Sequence, residues 1–207
     1  MSWHLHNIIA QYGDFLHLKQ PKINCSQVLE ELKNYEWIKY NPDKPNIPRD
    51  CINVTSLDGS LEGFTGTLMV QGVNADSDFK TPTEVYESSK TIQKLLEPWK
   101  PYLGRTQFLR LPPGGYFPPH HDGGKKGAPD TFRLIVPIEN ANPPGFCWMY
   151  GDENNYKPLQ WETGKLYYLN TNKKHWLFNA SANDSIWLTL NISACDETVH
   201  MIRSFVQ

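Results

Sequence analysis

The chain has 207 residues, of which 39% are hydrophobic and 13% aromatic, enough for one domain with a sizeable core. Its formal net charge is −2 at pH 7, so it lacks the basic field that holds a nucleic-acid backbone or an anionic membrane surface. We therefore expect neither partner. No run of 18 apolar residues predicts a membrane-spanning helix, and the N-terminus has no signal-peptide pattern. The expectation is a soluble, cytoplasmic protein.

The cysteines lie far apart and form no CxxC motif or close Cys/His pair, which disfavours zinc-finger and dithiol redox sites. A chain of this length does not need a disulfide framework. We expect free thiols at all four positions, which are Cys25, Cys51, Cys147 and Cys195.

Two segments of the N-terminal half have apolar residues at helical spacing. Residues 24–39 predict a helix that Asn24 caps, and residues from about 83 to 97 predict a second helix with Thr83 as its cap. Between them, residues 51–57 predict a strand. The N-terminal part of about 1–104 is therefore expected to be helical and mixed.

From about residue 105 onward, short runs rich in β-branched and aromatic residues alternate with Gly, Pro, Asn and Asp clusters, and no helical pattern separates them. This pattern is typical of a β-sandwich, β-barrel or jelly roll. We predict a mostly β fold with a core over about 105–207, flanking N-terminal helices, and a single domain over 1–207. The predicted strands cover 106–111, 131–138, 145–150, 164–170, 175–180 and 185–193.

Two histidine clusters fall at predicted strand ends. Residues i and i+2 of an extended segment point to the same side, so His120 and Asp122 converge while His121 points away. His175, at the start of a later strand, supplies a third ligand. Two imidazoles and one carboxylate on one face, with the opposite positions open, suit non-heme Fe(II). The alternative interpretation is that all four are ordinary loop or surface residues.

A family resemblance is carried by three segments, which are LRLPPGGYFPPHHDGG, FRLIVPI and WETGKLYYLNTNKKHWLFNAS. They resemble the aspartyl/asparaginyl β-hydroxylase-like branch of the 2-oxoglutarate- and Fe(II)-dependent oxygenases, which also contains free amino-acid hydroxylases. The resemblance covers about 105–193. It implies a double-stranded β-helix, a cupin-like jelly roll, that holds Fe(II) and the cosubstrate 2-oxoglutarate at its mouth and uses O2. The implied reaction is hydroxylation of a small molecule, such as an amino acid, or of a peptide side chain.

The chain departs from that family at Ser185, where many members carry an arginine that binds the far carboxylate of 2-oxoglutarate. We assign that role to Arg133, a charge inside an otherwise apolar strand that matches the family's other carboxylate-binding arginine. Arg110 is second, and Arg203, in a predicted C-terminal strand, is third. The polypeptide aspartyl hydroxylases replace the carboxylate ligand with glycine, whereas Asp122 is kept here. This favours the small-molecule or uncertain-substrate members of the family over those that modify epidermal-growth-factor domains.

Two other classes of protein remain open at this stage. A cupin-type metal isomerase or ring-cleaving dioxygenase typically has a glutamate soon after its first ligands, but the next glutamate after Asp122 is Glu139. A jelly-roll binding module without oxygenase activity is favoured by Ser185 and disfavoured by the complete ligand set. The tryptophans Trp148, Trp161 and Trp176 are expected in the β core, and Asn179 is expected to shape its strand.

Overall fold

Strand outweighs helix in the part of the chain that the structure describes. The computed structural model describes residues 3–42, 44, 46–61, 75–122, 127–152 and 155–206. The helices are α1 (His4–Ala10), α2 (Cys25–Leu32), α3 (Glu84–Ser88), α4 (Lys90–Leu96) and α5 (Asp196–Val206), with 3₁₀ turns at Asp76–Asp78 and Glu97–Tyr102. The strands are β1 (Phe15–Leu18), β2 (Ile38–Lys39), β3 (Asp50–Asn53), β4 (Thr55–Ser56), β5 (Thr81–Pro82), β6 (Leu103–Leu111), β7 (Tyr116–His120), β8 (Thr131–Glu139), β9 (Phe146–Asp152), β10 (Asn155–Pro158), β11 (Leu166–Leu169), β12 (Lys174–Asn179) and β13 (Ser185–Ser193).

Two antiparallel sheets form the body of the fold. The larger one, the major sheet, has the strand order β1-β11-β8-β13-β6-β3-β2, and the minor sheet has the order β10-β9-β12-β7. From β6 to β9 and from β10 to β13, consecutive strands alternate between the two sheets. This is the jelly-roll arrangement, so the predicted fold is confirmed. The N-terminal strands β1, β2 and β3 extend the major sheet at its two edges.

The two faces of the major sheet pack against different cores. On β13, Trp187 lies in the core between the sheets, together with Trp148 of the minor sheet. Leu188 points to the other face, where it packs in the core that also contains the helices. Because both faces are covered, nearly all of β13 is buried, including the polar residues Thr189 and Asn191. These two share the inner face with Trp187, so the space between the sheets has a polar end.

The prediction of one helix over 24–39 is wrong in its second half. Asn24 does cap α2, because its side chain accepts a hydrogen bond from the backbone N–H of Gln27 at 3.2 Å. The helix then ends early. Ile38 continues the helical spacing but instead pairs with Cys51 across β2 and β3. Pairing at the sheet edge therefore overrides the local periodicity.

The prediction of one helix over 83–97 is also wrong, since Ser89 divides α3 from α4. The Ser89 hydroxyl accepts a hydrogen bond from the Ile92 N–H at 3.1 Å and caps α4. Thr83 does not cap α3, because its hydroxyl donates to the carbonyl of Asn53 at 2.7 Å. Serine and threonine hydroxyls bind nearby backbone groups readily, so an internal serine can start a new helix.

Each of the six strands predicted after residue 105 coincides with an observed strand, and the strand predicted over 51–57 is divided between β3 and β4. The strand expected at Arg203 is wrong. Arg203 lies on α5, whose residues Val199 and Ile202 are buried at helical spacing. Asp196 and Glu197 lie in the first turn, where carboxylates stabilise the helix dipole. The short apolar pattern before Arg203 therefore belongs to a helix that packs on α1 and β1.

Among the described residues no helix has the length and apolar character to cross a bilayer, and the longest has 11 residues. All four cysteines are free thiols. The cytoplasmic location stays a prediction.

Candidate metal centre

Three side chains converge where β7 and β12 lie side by side. His120 ends β7 and pairs directly with His175 of β12, and their ring centroids are 4.2 Å apart. Asp122 follows β7, and its Oδ1 lies 3.7 Å from Nε2 of His120. One ligand atom from each of the three residues lies within 4.8 Å of the others. His121 is exposed, in agreement with the alternation expected for an extended segment.

Both histidines are oriented by their own backbone. Nδ1 of His120 lies 2.9 Å from the carbonyl oxygen of Pro118, and Nδ1 of His175 lies 2.9 Å from that of Lys173. A carbonyl oxygen only accepts, so each Nδ1 donates and carries the ring proton. Each Nε2 then keeps its lone pair for a metal, as is usual for metal-binding histidines.

The charge states in this cluster also fit a metal site. Burial, reinforced by the neighbouring His175, lowers the pKa of His120 to about 4. Burial lowers the pKa of His175 as well. For Asp122, burial by itself would raise the pKa, but Arg133, the two histidines and a hydrogen bond from Thr171 together hold it at about 2. At neutral pH the site therefore presents two neutral imidazoles and one carboxylate.

Asp122 is held in place by a backbone hydrogen bond and by an ion pair. Its backbone N–H donates to the carbonyl of Thr171 at 2.7 Å, which ties the end of β7 to the segment after β11. Its Oδ2 lies 3.2 Å from an Nη atom of Arg133. Arg133 lies on the face of β8 that points between the sheets, in the same alternation as Ile135. The structure thus brings Arg133 to the cluster.

Arg110 and Arg203 do not join this cluster. Arg110 lies between Leu109 and Leu111, whose side chains face the core between the sheets, so its own side chain points to the opposite face. There it contacts Asp50 at 2.8 Å. Arg203 lies on α5, and its side chain lies over the ring of Tyr12.

Sequence reasoning missed two buried arginines close to the site. Arg105 of β6 contacts Oδ1 of Asp76 at 2.7 Å and donates to the hydroxyl of Tyr40 at 3.1 Å. The guanidinium carbon of Arg49 lies 3.5 Å from the ring centroid of Tyr40 and 3.8 Å from that of Phe117. Burial would raise the pKa of Tyr40, but the fields of Arg105, Arg49 and Arg133 lower it.

Polar groups on the inner face of the major sheet lack partners. Oε1 of Gln107, Oγ1 of Thr189 and Oδ1 of Asn191 are buried, and none has a hydrogen-bond partner among the described residues. The indole Nε1 atoms of Trp148 and Trp187 are in the same state. Buried polar atoms are normally satisfied, so this concentration marks a place for a polar ligand or ordered water.

Trp148 and Trp161 are buried in the core between the sheets, as predicted, whereas Trp176 is half-buried and packs on Tyr156. Asn179 shapes its strand, because it donates to the carbonyl of Leu111 at 2.9 Å. The glycines that follow Asp122 fall within 123–126, outside the described residues.

Three solved oxygenase structures are similar to this fold. The α-ketoglutarate-dependent epimerase SnoN from nogalamycin biosynthesis aligns over 92% of this chain and 80% of its own, with a TM-score of 0.54 and 10% identity. A 2OG-Fe(II) oxygenase family oxidoreductase from Burkholderia pseudomallei aligns over 93% and 91%, with a TM-score of 0.52 and 10% identity. A Pseudomonas putida prolyl-4-hydroxylase aligns over 92% and 98%, with a TM-score of 0.50 and 13% identity.

These similarities support the jelly-roll fold. None of them points to the aspartyl/asparaginyl β-hydroxylase-like branch in particular, so that branch stays a prediction. No protein-family model and no curated protein matches the sequence.

Proposed function

We propose that this chain is an Fe(II)- and 2-oxoglutarate-dependent dioxygenase that hydroxylates a small molecule, such as an amino acid, or a peptide side chain. The observation that carries the proposal is the convergence of His120, Asp122 and His175 at one end of the jelly roll. Two imidazoles and a carboxylate are the ligand set that non-heme Fe(II) oxygenases use, with open positions for other ligands.

The residues present fit the metal. Both imidazoles are neutral, and their Nδ1–H groups are anchored to backbone carbonyls, so their Nε2 atoms can bind a cation without reorientation. The Asp122 carboxylate is ionised because its pKa is about 2. When bound, Fe(II) supplies oxygen activation coupled to the oxidative decarboxylation of 2-oxoglutarate to succinate.

The residues also fit an anionic cosubstrate. Arg133 projects between the sheets, and its one ion pair among the described residues is with Asp122, itself a proposed metal ligand. A metal on Asp122 would share that carboxylate's charge, leaving the guanidinium to bind the far carboxylate of 2-oxoglutarate. The unpartnered oxygens of Thr189 and Asn191 lie on the same inner face. Trp148 and Trp187 pack in the core between the sheets, on the side of this face.

The metal assignment is tested by variants of the ligands. His120→Ala, Asp122→Ala and His175→Ala should each abolish Fe(II) binding, because a three-ligand site has no spare ligand. His121→Ala is the matched control and should keep the metal, since His121 is exposed. Anaerobic titration calorimetry with Fe(II) measures this. Loss of iron from His121→Ala alone would show that the wrong residue has been assigned.

The reaction is tested by succinate formation. The Fe(II)-loaded chain should convert 2-oxoglutarate to succinate, and a panel of free amino acids and short peptides should reveal a compound that accelerates the conversion. His121→Ala should behave like the wild type, and His175→Ala should be inactive. A chain that binds iron but never consumes 2-oxoglutarate would favour the cupin-type alternative, and one that binds neither would favour a binding module.

A further inference from the structure

Arg49 is a buried cation that forms no ion pair with a carboxylate among the described residues. It directly precedes β3, and 8% of its surface is exposed to solvent. Burial disfavours its charge, and the ionisable groups with the largest effect on it are Tyr40, Cys51 and two further arginines, none of which is a carboxylate. Its Nε–H has no hydrogen-bond partner in the described part of the chain. A buried guanidinium in this state is costly unless an anion completes it.

The neighbouring arginines show the contrast. Arg105 pairs with Asp76, and Arg133 pairs with Asp122. In the part of the chain that the structure describes, these three guanidiniums thus pair with two carboxylates, and one of the two is a proposed metal ligand. The positive charge that remains belongs to Arg49. An excess of buried positive charge beside a candidate active site favours binding of an anionic molecule.

The aromatic neighbours of Arg49 determine how it can bind. The guanidinium carbon lies over the Tyr40 ring at 3.5 Å from its centroid and over the Phe117 ring at 3.8 Å. A guanidinium donates its hydrogen bonds in its own plane, so contact with these rings leaves its planar edge for a ligand. That planar edge matches the two oxygens of a carboxylate. Stacking also fixes the side chain before a ligand arrives, so little entropy is lost on binding.

The position of Arg49 places such a carboxylate near the chemistry. The Phe117 ring that packs on Arg49 also packs edge-on against the His120 ring, with centroids 4.5 Å apart. Arg49 is therefore one aromatic ring away from a proposed metal ligand, on the His120 side of the cluster. Arg133 contacts the Asp122 side. The two guanidiniums are suited to two different carboxylates.

We propose that Arg49 binds a carboxylate of the substrate, which is therefore a small organic acid such as a free amino acid and not an internal peptide residue. This inference rests on the proposed function, because it takes the cosubstrate to occupy Arg133. It adds a specificity-determining residue from outside the jelly-roll core, in a segment that the oxygenase resemblance does not cover.

The experiment observes the Arg49 side chain directly. The full chain is loaded with Zn(II), which binds imidazoles and carboxylate without redox chemistry, and is saturated with 2-oxoglutarate. The probes are acetate and its neutral counterpart acetamide. NMR follows the arginine Nε–H signals, and an Arg49→Lys variant identifies the Arg49 signal by its disappearance. Acetate, but not acetamide, should shift that signal in a saturable way.

Variants provide the matched comparison. Arg49→Lys keeps the charge but removes the planar edge, so it should weaken acetate binding on the order of tenfold. Arg49→Gln should abolish acetate binding and keep the wild-type affinity for 2-oxoglutarate. Arg133→Ala should weaken 2-oxoglutarate binding on the order of a hundredfold or more and keep acetate binding at Arg49. In the succinate assay, an accelerating free acid should lose its effect when its carboxylate is converted to an amide.

The outcomes separate the two proposals. A chain that binds Zn(II) and 2-oxoglutarate but shows no acetate response at Arg49 overturns this inference alone. A shift of the Arg49 signal by 2-oxoglutarate, with no further shift by acetate, would also overturn it and assign Arg49 to the cosubstrate. If Zn(II) or 2-oxoglutarate does not bind at all, the proposed function itself is wrong. The wild-type titration does not depend on whether any variant folds.

Discussion

His120 is a buried group whose ionisation opposes folding. Its pKa lies at about 4 in the folded chain, below the ordinary value of 6.5, because burial and His175 disfavour the charged ring. The unfolded chain therefore binds more protons than the folded chain between these two values. Stability rises with pH in such a window, and it falls as the pH is lowered from 6.5 towards 4.

The metal-free chain should show this dependence in urea unfolding. Replacing His120 by Gln removes the titrating group, so the variant's free energy of unfolding should depend less steeply on pH, by up to about 1.4 kcal/mol per pH unit. His200→Gln is the control, since His200 is exposed on α5. Equal slopes in wild type and His120→Gln would show that the ring is not buried in its neutral form.

Arg133 should hold the cosubstrate. Arg133→Ala removes the cation proposed for the far carboxylate of 2-oxoglutarate, so the affinity for 2-oxoglutarate should fall on the order of a hundredfold or more, the usual scale for breaking a buried charge pair. Fe(II) affinity should stay nearly unchanged. Arg110→Ala is the matched control, because Arg110 lies on the opposite face of the major sheet. Anaerobic calorimetry measures both ligands. Unaltered 2-oxoglutarate affinity in Arg133→Ala would move the assignment to another arginine.

Individual site residues could be predicted from the sequence where their arrangement depends on local spacing. The i and i+2 relation of His120 and Asp122 follows from an extended backbone, and Arg133 stands out in an apolar run. Arg49 and Arg105 could not be assigned in the same way, since their proximity requires β3 to pair with β6. Pairing between strands distant in sequence is not encoded in either segment alone.

Among the elements, the end of β12 depends on Asn179. This side chain is 2% exposed and donates to the carbonyls of Leu111 and Asn183 at 2.9 and 2.8 Å. It also accepts from the N–H of Ser181 at 3.0 Å. Asn179 thus fixes the β12–β13 connection against the end of β6. Since His175 lies on the same strand, the turn also helps to position that proposed ligand.

Asn179→Ala should lower the free energy of unfolding by about 2 to 4 kcal/mol, because it leaves buried backbone groups without partners. Asn34→Ala is the control. Asn34 is exposed and donates once, to the carbonyl of Glu31 at 3.2 Å, so its loss should cost less than about 0.5 kcal/mol. Urea unfolding of both variants gives the comparison. A cost for Asn179→Ala no larger than that for Asn34→Ala would contradict this role.

Helices and strands could be predicted from the sequence where one pattern of residues dominated the segment. The buried strands β8 and β13 are rich in β-branched and aromatic residues, and both were found. The second half of the helix predicted over 24–39 was lost because Ile38 gains a sheet partner, and α5 was missed because its apolar stripe is short. In both places long-range packing decided between two patterns that the local sequence permits.

At the scale of the whole molecule, the proposed ligands join the two sheets. His120 and His175 belong to the minor sheet, whereas Arg133 belongs to the major sheet. A metal alone would link β7, β12 and the Asp122 segment. Bound 2-oxoglutarate would connect that metal to Arg133 and so bridge the sheets. The stabilisation by 2-oxoglutarate should therefore depend on the metal.

Thermal unfolding tests this coupling. A ligand at a hundred times its Kd stabilises the folded state by about 2.7 kcal/mol, which corresponds to roughly 5–10 °C in a chain of this size. Mn(II) or Zn(II) should raise Tm by this order, and 2-oxoglutarate should add a comparable increment only when the metal is present. Glutarate, which has both carboxylates but no 2-oxo group, is the matched control and should add little, because it cannot chelate the metal. If 2-oxoglutarate raised Tm equally without metal, or if glutarate matched it, the cosubstrate would not bridge the two sheets through the metal.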